Sequence, residues 1–71
     1  MIGKIIKYER KKLKLTQHQL AAKLGIPRSD ISNWESSFSQ VNIKNLILLA
    51  DFFDCSTDYL LGRTKVRKQI V

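Results

Sequence analysis

Apolar residues recur along this chain at helical intervals, and β-branched residues never alternate with polar ones over a run, so the pattern predicts helices and no strands. One start signal appears three times: an apolar residue, a capping residue, then a second apolar residue five positions after the first. Leu15-Thr16 with Leu20, Val41-Asn42 with Leu46, and Cys55-Ser56 with Leu60 all fit it. In each, the outer apolar side chain can staple onto the first turn while Thr, Asn or Ser accepts an orphan backbone N–H. Thr16 and Gln19 also have capping-box spacing. Ile26 with Ile31 repeats the interval, but Pro27 holds the cap position; its fixed φ suits a helix start, although it offers no capping oxygen. A first helix from about Ile2 to Leu13, with Ile2, Ile5, Ile6 and Leu13 on one face, brings the expected total to five. The predicted class is all-α. Gly62 is expected to end the fifth helix, and "RTKVRKQIV" reads as a mobile basic tail.

The middle of the chain, "TQHQLAAKLGIPRSDISNWE", sets two short helices only a few residues apart. Leu20, Leu24, Ile26, Ile31 and Trp34 are its apolar positions. Ala21 is small enough to allow a close, steep crossing, and Gly25 falls where the second helix must end with positive φ. Two helices joined by such a turn have helix-turn-helix geometry. If Ile31 and Trp34 are buried, rotation of about 100° per residue leaves Arg28, Ser29, Ser32 and Asn33 on the opposite face. These groups suit base edges, because Arg pairs with guanine O6 and N7, Asn with adenine N6 and N7, and Ser with several groups. An ordinary solvated helix face has a similar composition; the helix-turn-helix spacing of Ala21, Gly25 and Ile31 is what favours a base-reading face.

Charge sharpens the picture. Thirteen Lys and Arg against six Asp and Glu give +7 on 71 residues, which suggests a polyanionic partner, either nucleic acid or an acidic membrane surface. A solvated basic face is the plainer alternative. The length is that of one small domain. Cys55 is the only cysteine, so no intrachain disulfide can form and a reduced, cytoplasmic setting is expected. "MIGKIIKYERKK" lacks the apolar core of a secretory signal, and "LILLADFF" is too short to span a bilayer. His18 has no partner at metal-ligand spacing, Cys55 has no base placed to activate it, and neither a glycine-rich phosphate loop nor paired carboxylates occur. No metal, cofactor, small-molecule ligand, membrane or enzymatic role is expected.

The stretches "IGKIIKYERKKLKLTQHQLAAKLGI", "ISNWE" and "NLILLADFFDCSTDYLLGRT" together resemble the Cro/CI-type (Xre-like) helix-turn-helix family of phage and bacterial transcription regulators. The likeness runs from about Ile2 to Thr64. It implies a compact five-helix, lambda-repressor-like domain over residues 1–64, with the helix-turn-helix at about 17–36 and a basic tail at 65–71. It further implies that Gln17 touches a phosphate and braces the recognition helix, and that Arg28, Ser29, Ser32 and Asn33 read bases. Asn42 and Lys44 are implied to meet phosphates, and Arg10 is implied to pair with Glu35. The chain departs from the family pattern at Ser37, where glycine is common, at Val41, where proline is common, and at Glu9, where an apolar residue is expected. The loop "SSFSQVN" is therefore expected to have its own conformation, with Phe38 an unexpected aromatic within it. Asp30 is expected to act as a cap; pairing with Arg28 and acceptance from cytosine N4 are the alternatives.

The resemblance implies a sequence-specific, double-stranded DNA-binding regulator. A repressor of phage or mobile-element type, reading operator half-sites in the major groove as a homodimer, is the expected form. Leu48, Phe52, Tyr59, Leu61 and the end "QIV" are either a dimer patch or simply part of the core. The rival reading is a protein-interaction module of the same fold, antitoxin-like or regulator-binding.

Overall fold

The computed structural model describes residues 2–68 and contains five helices: α1 (Ile2–Lys12), α2 (Gln17–Leu24), α3 (Arg28–Glu35), α4 (Ile43–Phe53) and α5 (Thr57–Leu60). The anticipated caps close three of them. Thr16 Oγ1 accepts from the Gln19 N–H, and the Gln19 side chain accepts from the Thr16 N–H, completing the capping box. Asn42 and Ser56 cap α4 and α5 by accepting from Asn45 and Tyr59. Before α3, Pro27 sits in extended backbone with no side-chain cap. The Asp30 carboxylate makes no hydrogen bond among the described residues, so the expected cap is absent. It is instead the only acidic group in that first turn, where it acts through the helix dipole.

Ile6, Leu20, Ile31, Leu49 and Leu60 are fully buried, one from each helix, and Trp34, Phe53, Ala21 and Ala50 close the core around them. Each such large side chain contributes about 1.5–3 kcal/mol by leaving water. Gly25 adopts φ +70° at the end of α2 and turns the chain toward α3. Gly3 has a different role: a Cβ there would lie 2.3 Å from the Trp34 carbonyl oxygen, so α1 and α3 touch backbone to backbone.

Two expectations about the ends of elements are corrected. Leu13 is 49% exposed, because α1 stops at Lys12 and Lys14 takes a left-handed φ of 59°, so the helical period no longer applies to it. The basic tail is not free after α5. Arg67 is hydrogen-bonded to Glu9 and to the end of α4, and its carbonyl accepts from the Ser56 N–H at 2.8 Å. Gly62 ends α5 as expected: it follows the cap residue Leu61 at φ +77°, and the Gly62 and Arg63 N–H groups donate to the Tyr59 and Asp58 carbonyls at 3.0 and 2.9 Å.

Phe52 packs edge-on to Phe53, and Tyr59 packs against the core. Leu48 is half-buried, whereas Leu61 stays exposed. The three residues of "QIV" lie outside the described residues. Larger exposed apolar groups occur elsewhere: Phe38, Ile43 and Ile47. No helix among the described residues is long and apolar enough to cross a membrane.

Candidate nucleic-acid interface

The site is built on a chain of polar contacts between α1, α2 and α3. Arg10 is buried near the end of α1, and its Nε and NH2 donate to the two Glu35 carboxylate oxygens at 2.7 and 3.0 Å. Its remaining terminal nitrogen donates to the Leu15 carbonyl at 2.8 Å, tying the α1–α2 turn to the same guanidinium. Hydrogen bonding to Glu35 raises the Arg10 pKa further, against the opposing effect of burial.

Gln17, the first residue of α2, donates Nε2–H to Glu35 Oε1 at 3.1 Å. That bond orients the amide. Its Oε1 then faces Arg28, which donates to it at 3.4 Å, a long contact that aims the guanidinium without burying it. A side chain expected to brace the recognition helix thus stands between the buried ion pair and the first residue of α3.

Burial of Ile31 and Trp34 turns α3 as its sequence requires. Arg28 and Ser29 are exposed, while Ser32 and Asn33 are half-buried, less open than the period alone implies. The reason at Asn33 is the following loop, which folds back so that the Phe38 and Ser39 N–H groups donate to its carbonyl at 2.8 and 3.3 Å. Ser37, inside that loop, adopts φ +63°, the backbone state that glycine takes most easily. Asn42 and Lys44 are exposed at the start of α4. The Asn42 Oδ1 is occupied by capping, which leaves its amide N–H groups outward.

An open groove of about 530 Å³ lies beside Gln17 and Arg28. Arg10, Lys11, Lys14 and His18 contribute to its lining and no carboxylate does. Lys11 and Lys14 belong to the basic run "KKLK" at and just beyond the end of α1, which by charge alone is a solvated face. The left-handed turn at Lys14, which brings it beside α2, is not evident from the run itself. No cluster of three or more His, Cys, Asp or Glu with metal-binding geometry occurs among the described residues. Burial pushes the Cys55 thiol above its usual range, which disfavours the reactive thiolate.

Two short helices joined by a left-handed glycine turn, the second with a polar outer face beside a cationic groove, define a helix-turn-helix domain. The model of the Helix-turn-helix family matches residues 6–60, and the chain belongs to this Cro/C1-type (Xre-like) family. It is 37% identical over 68 residues to the HTH-type transcriptional regulator ImmR of Bacillus subtilis, covering 96% of this chain and 54% of ImmR. It is 41% identical over 61 residues to the repressor protein C2 of Salmonella phage P22, covering 86% of this chain and 28% of that protein. Among solved structures, the P22 c2 repressor in complex with synthetic operator 9T superposes with a TM-score of 0.79 at 40% identity, covering 84% of this chain and 91% of that one. The chain thus spans about half of ImmR and less than a third of the C2 repressor.

Proposed function

We propose that this domain binds double-stranded DNA sequence-specifically and acts as a transcriptional repressor of phage or mobile-element type. The observation that carries the reading is the aimed Arg28: it stands at the exposed start of α3, its guanidinium directed by Gln17, which is itself fixed by the Arg10–Glu35 pair. The likeness to a phage repressor solved on an operator supports it.

In this reading α3 lies in the major groove, with Arg28, Ser29, Ser32 and Asn33 toward base edges. Gln17, Asn42 and Lys44 meet phosphates on either side, as the open groove and the exposed start of α4 allow. Two copies related by a two-fold axis read half-sites about 34 Å apart. Ile43 and Ile47, one turn apart on α4, together with Phe38 are apolar side chains left uncovered in the single chain, and they supply surface for such an assembly. Repression follows from occupying a promoter and excluding polymerase.

The test is selection of bound duplexes from a random library at near-physiological salt. Enrichment of a pseudo-palindrome with a recurring G in each half-site is expected. Arg28→Ala should then cost about 1–3 kcal/mol and relax the preference at that one position. Binding that enriches no sequence and disappears with modest salt would leave phosphate attraction alone. That result would favour a protein-interaction module of the same fold.

A further inference from the structure

Glu9 is a carboxylate that is 1% exposed, at a helix position where the resemblance leads one to expect an apolar residue. Nothing within two turns of α1 neutralises it fully. Lys12, on its own helix, reaches it only at 3.4 Å, from a side chain that is 44% exposed. The groups that satisfy it come from far along the chain. Tyr59 on α5 donates its hydroxyl to Oε2 at 2.8 Å. Arg67 donates NH2 to Oε1 at 2.8 Å, and its Nε spans both oxygens at 3.1 and 3.2 Å.

The same guanidinium also reaches the end of α4, donating to the carbonyl of its last residue, Phe53, and to that of the cap residue Asp54. Two further contacts pin the segment from its own side: the Ser56 N–H donates to Arg67 O, and Lys68 Nζ pairs with Asp54 at 2.8 Å. One arginine therefore neutralises a buried acid and satisfies carbonyls that a helix end leaves without partners.

We infer that the segment after α5 is a clasp, in which Arg67 is the counter-ion that allows Glu9 to remain ionised inside the core. The folded unit accordingly runs to Lys68, not to Thr64, and the direction in which the backbone leaves it is set beside the C-terminal ends of α1 and α4. This conclusion does not depend on DNA binding.

The charged and titratable groups around Glu9 are Lys12 from α1, Tyr59 from α5 and Arg67 from the clasp, with Asp54 and Cys55 beyond them. Burial raises the pKa of Glu9, but hydrogen bonds from Arg67 and Tyr59, the Arg67 charge and Lys12 outweigh it, so the carboxyl titrates below its ordinary value. A clasp of this kind has a distinct signature: removing Arg67 leaves the burial effect opposed by less, and the Glu9 pKa must rise.

The experiment is a double-mutant cycle on the full chain with Arg67→Ala, Glu9→Leu and both together, followed by urea unfolding at neutral pH and a carboxyl titration by NMR. The Ser56 amide exchange rate reports clasp docking directly, because its N–H is bonded to Arg67 O. Arg67→Ala is expected to lower the urea midpoint, raise the Glu9 pKa and expose the Ser56 amide. The loss of midpoint should be much smaller in the Glu9→Leu background. If Arg67→Ala alone fails to fold, Glu9→Leu should restore folding to it. Equal losses in the two backgrounds, failure of that rescue, or an unchanged Ser56 exchange rate would overturn the clasp.

Discussion

Arg10 and Glu35, twenty-five residues apart, meet through two nearly parallel hydrogen bonds, and the oxygen that accepts from the Arg10 NH2 also accepts from Gln17. The pair is almost wholly buried, so its attraction is opposed by a large desolvation cost. Its value to the domain is positional: it fixes where Gln17, and then Arg28, can point. Arg10→Ala leaves a buried carboxylate without its cation and should lower stability by about 3–5 kcal/mol, a large fraction of what a domain this size possesses. Replacing both partners with apolar residues of similar volume should recover much of that stability, while DNA affinity stays low. Urea unfolding and operator binding on the same samples separate the two effects.

Gly3 tests how closely α3 must approach α1. Alanine is the better helix former by about 1 kcal/mol. The clash wins, because the added Cβ would meet the Trp34 carbonyl at 2.3 Å and the Glu35 carbonyl oxygen at 3.0 Å, both backbone atoms that cannot rotate away. Gly3→Ala should therefore destabilise by about 1–3 kcal/mol, as overpacking does. Because the strain falls on α3, operator affinity should also drop. A thermal melt and a binding isotherm would show both changes.

Ser37 holds a left-handed backbone, with φ +63°, at a position in the loop after α3. Ser37→Gly should stabilise the domain by about 1 kcal/mol, since the native conformation then carries no Cβ penalty. Gly25→Ala, at φ +70° with open space around its Cα, should lose a similar amount for the same reason in reverse. Chemical denaturation of the two variants provides a matched pair.

Tyr59 predicts the alkaline limit of stability. Burial, the hydrogen bond it donates to Glu9 and the Glu9 charge push its phenol up to about 12 from an ordinary 10. The folded-state pKa is raised, so this contribution is fully present below about pH 10 and is lost as pH rises toward 12. Tyr59→Phe should flatten that limb of the stability profile. It should also lower stability at neutral pH, because Glu9 loses a donor. Phenolate absorbance recorded during a pH titration would locate the transition.

On the proposed DNA-binding reading, lysines at the rim of the interface would act through counter-ion release. Lys44→Ala and Lys14→Ala should each reduce the slope of log affinity against log salt by about 0.9 while leaving the selected sequence unchanged. Arg28→Ala should change the selected sequence as well. Binding measured across a salt series distinguishes the two kinds of contact.

The chain's local chemistry was enough to indicate five helices, their caps at Thr16, Asn42 and Ser56, the turn at Gly25 and the side of α3 that Ile31 and Trp34 bury. Those features depend on periodicity and on hydrogen bonds within a few residues, and both are written in consecutive positions. The pairing of Arg10 with Glu35 was legible only through resemblance to a family. The role of Gln17 as the link from that pair to Arg28 emerged once α1, α2 and α3 were packed together. Gly3 gave no local sign, because its lack of a side chain matters only where another helix's backbone arrives. Glu9 looked like a misplaced charge and the tail like a free end. Tertiary structure joined them, because a buried carboxylate must be neutralised, and the folded backbone brings Arg67 to it across fifty-eight residues. Patterns local to a few turns determined the elements; which distant groups complete one another was decided by packing, since burial makes an unmet charge costly and only the fold determines what lies within reach.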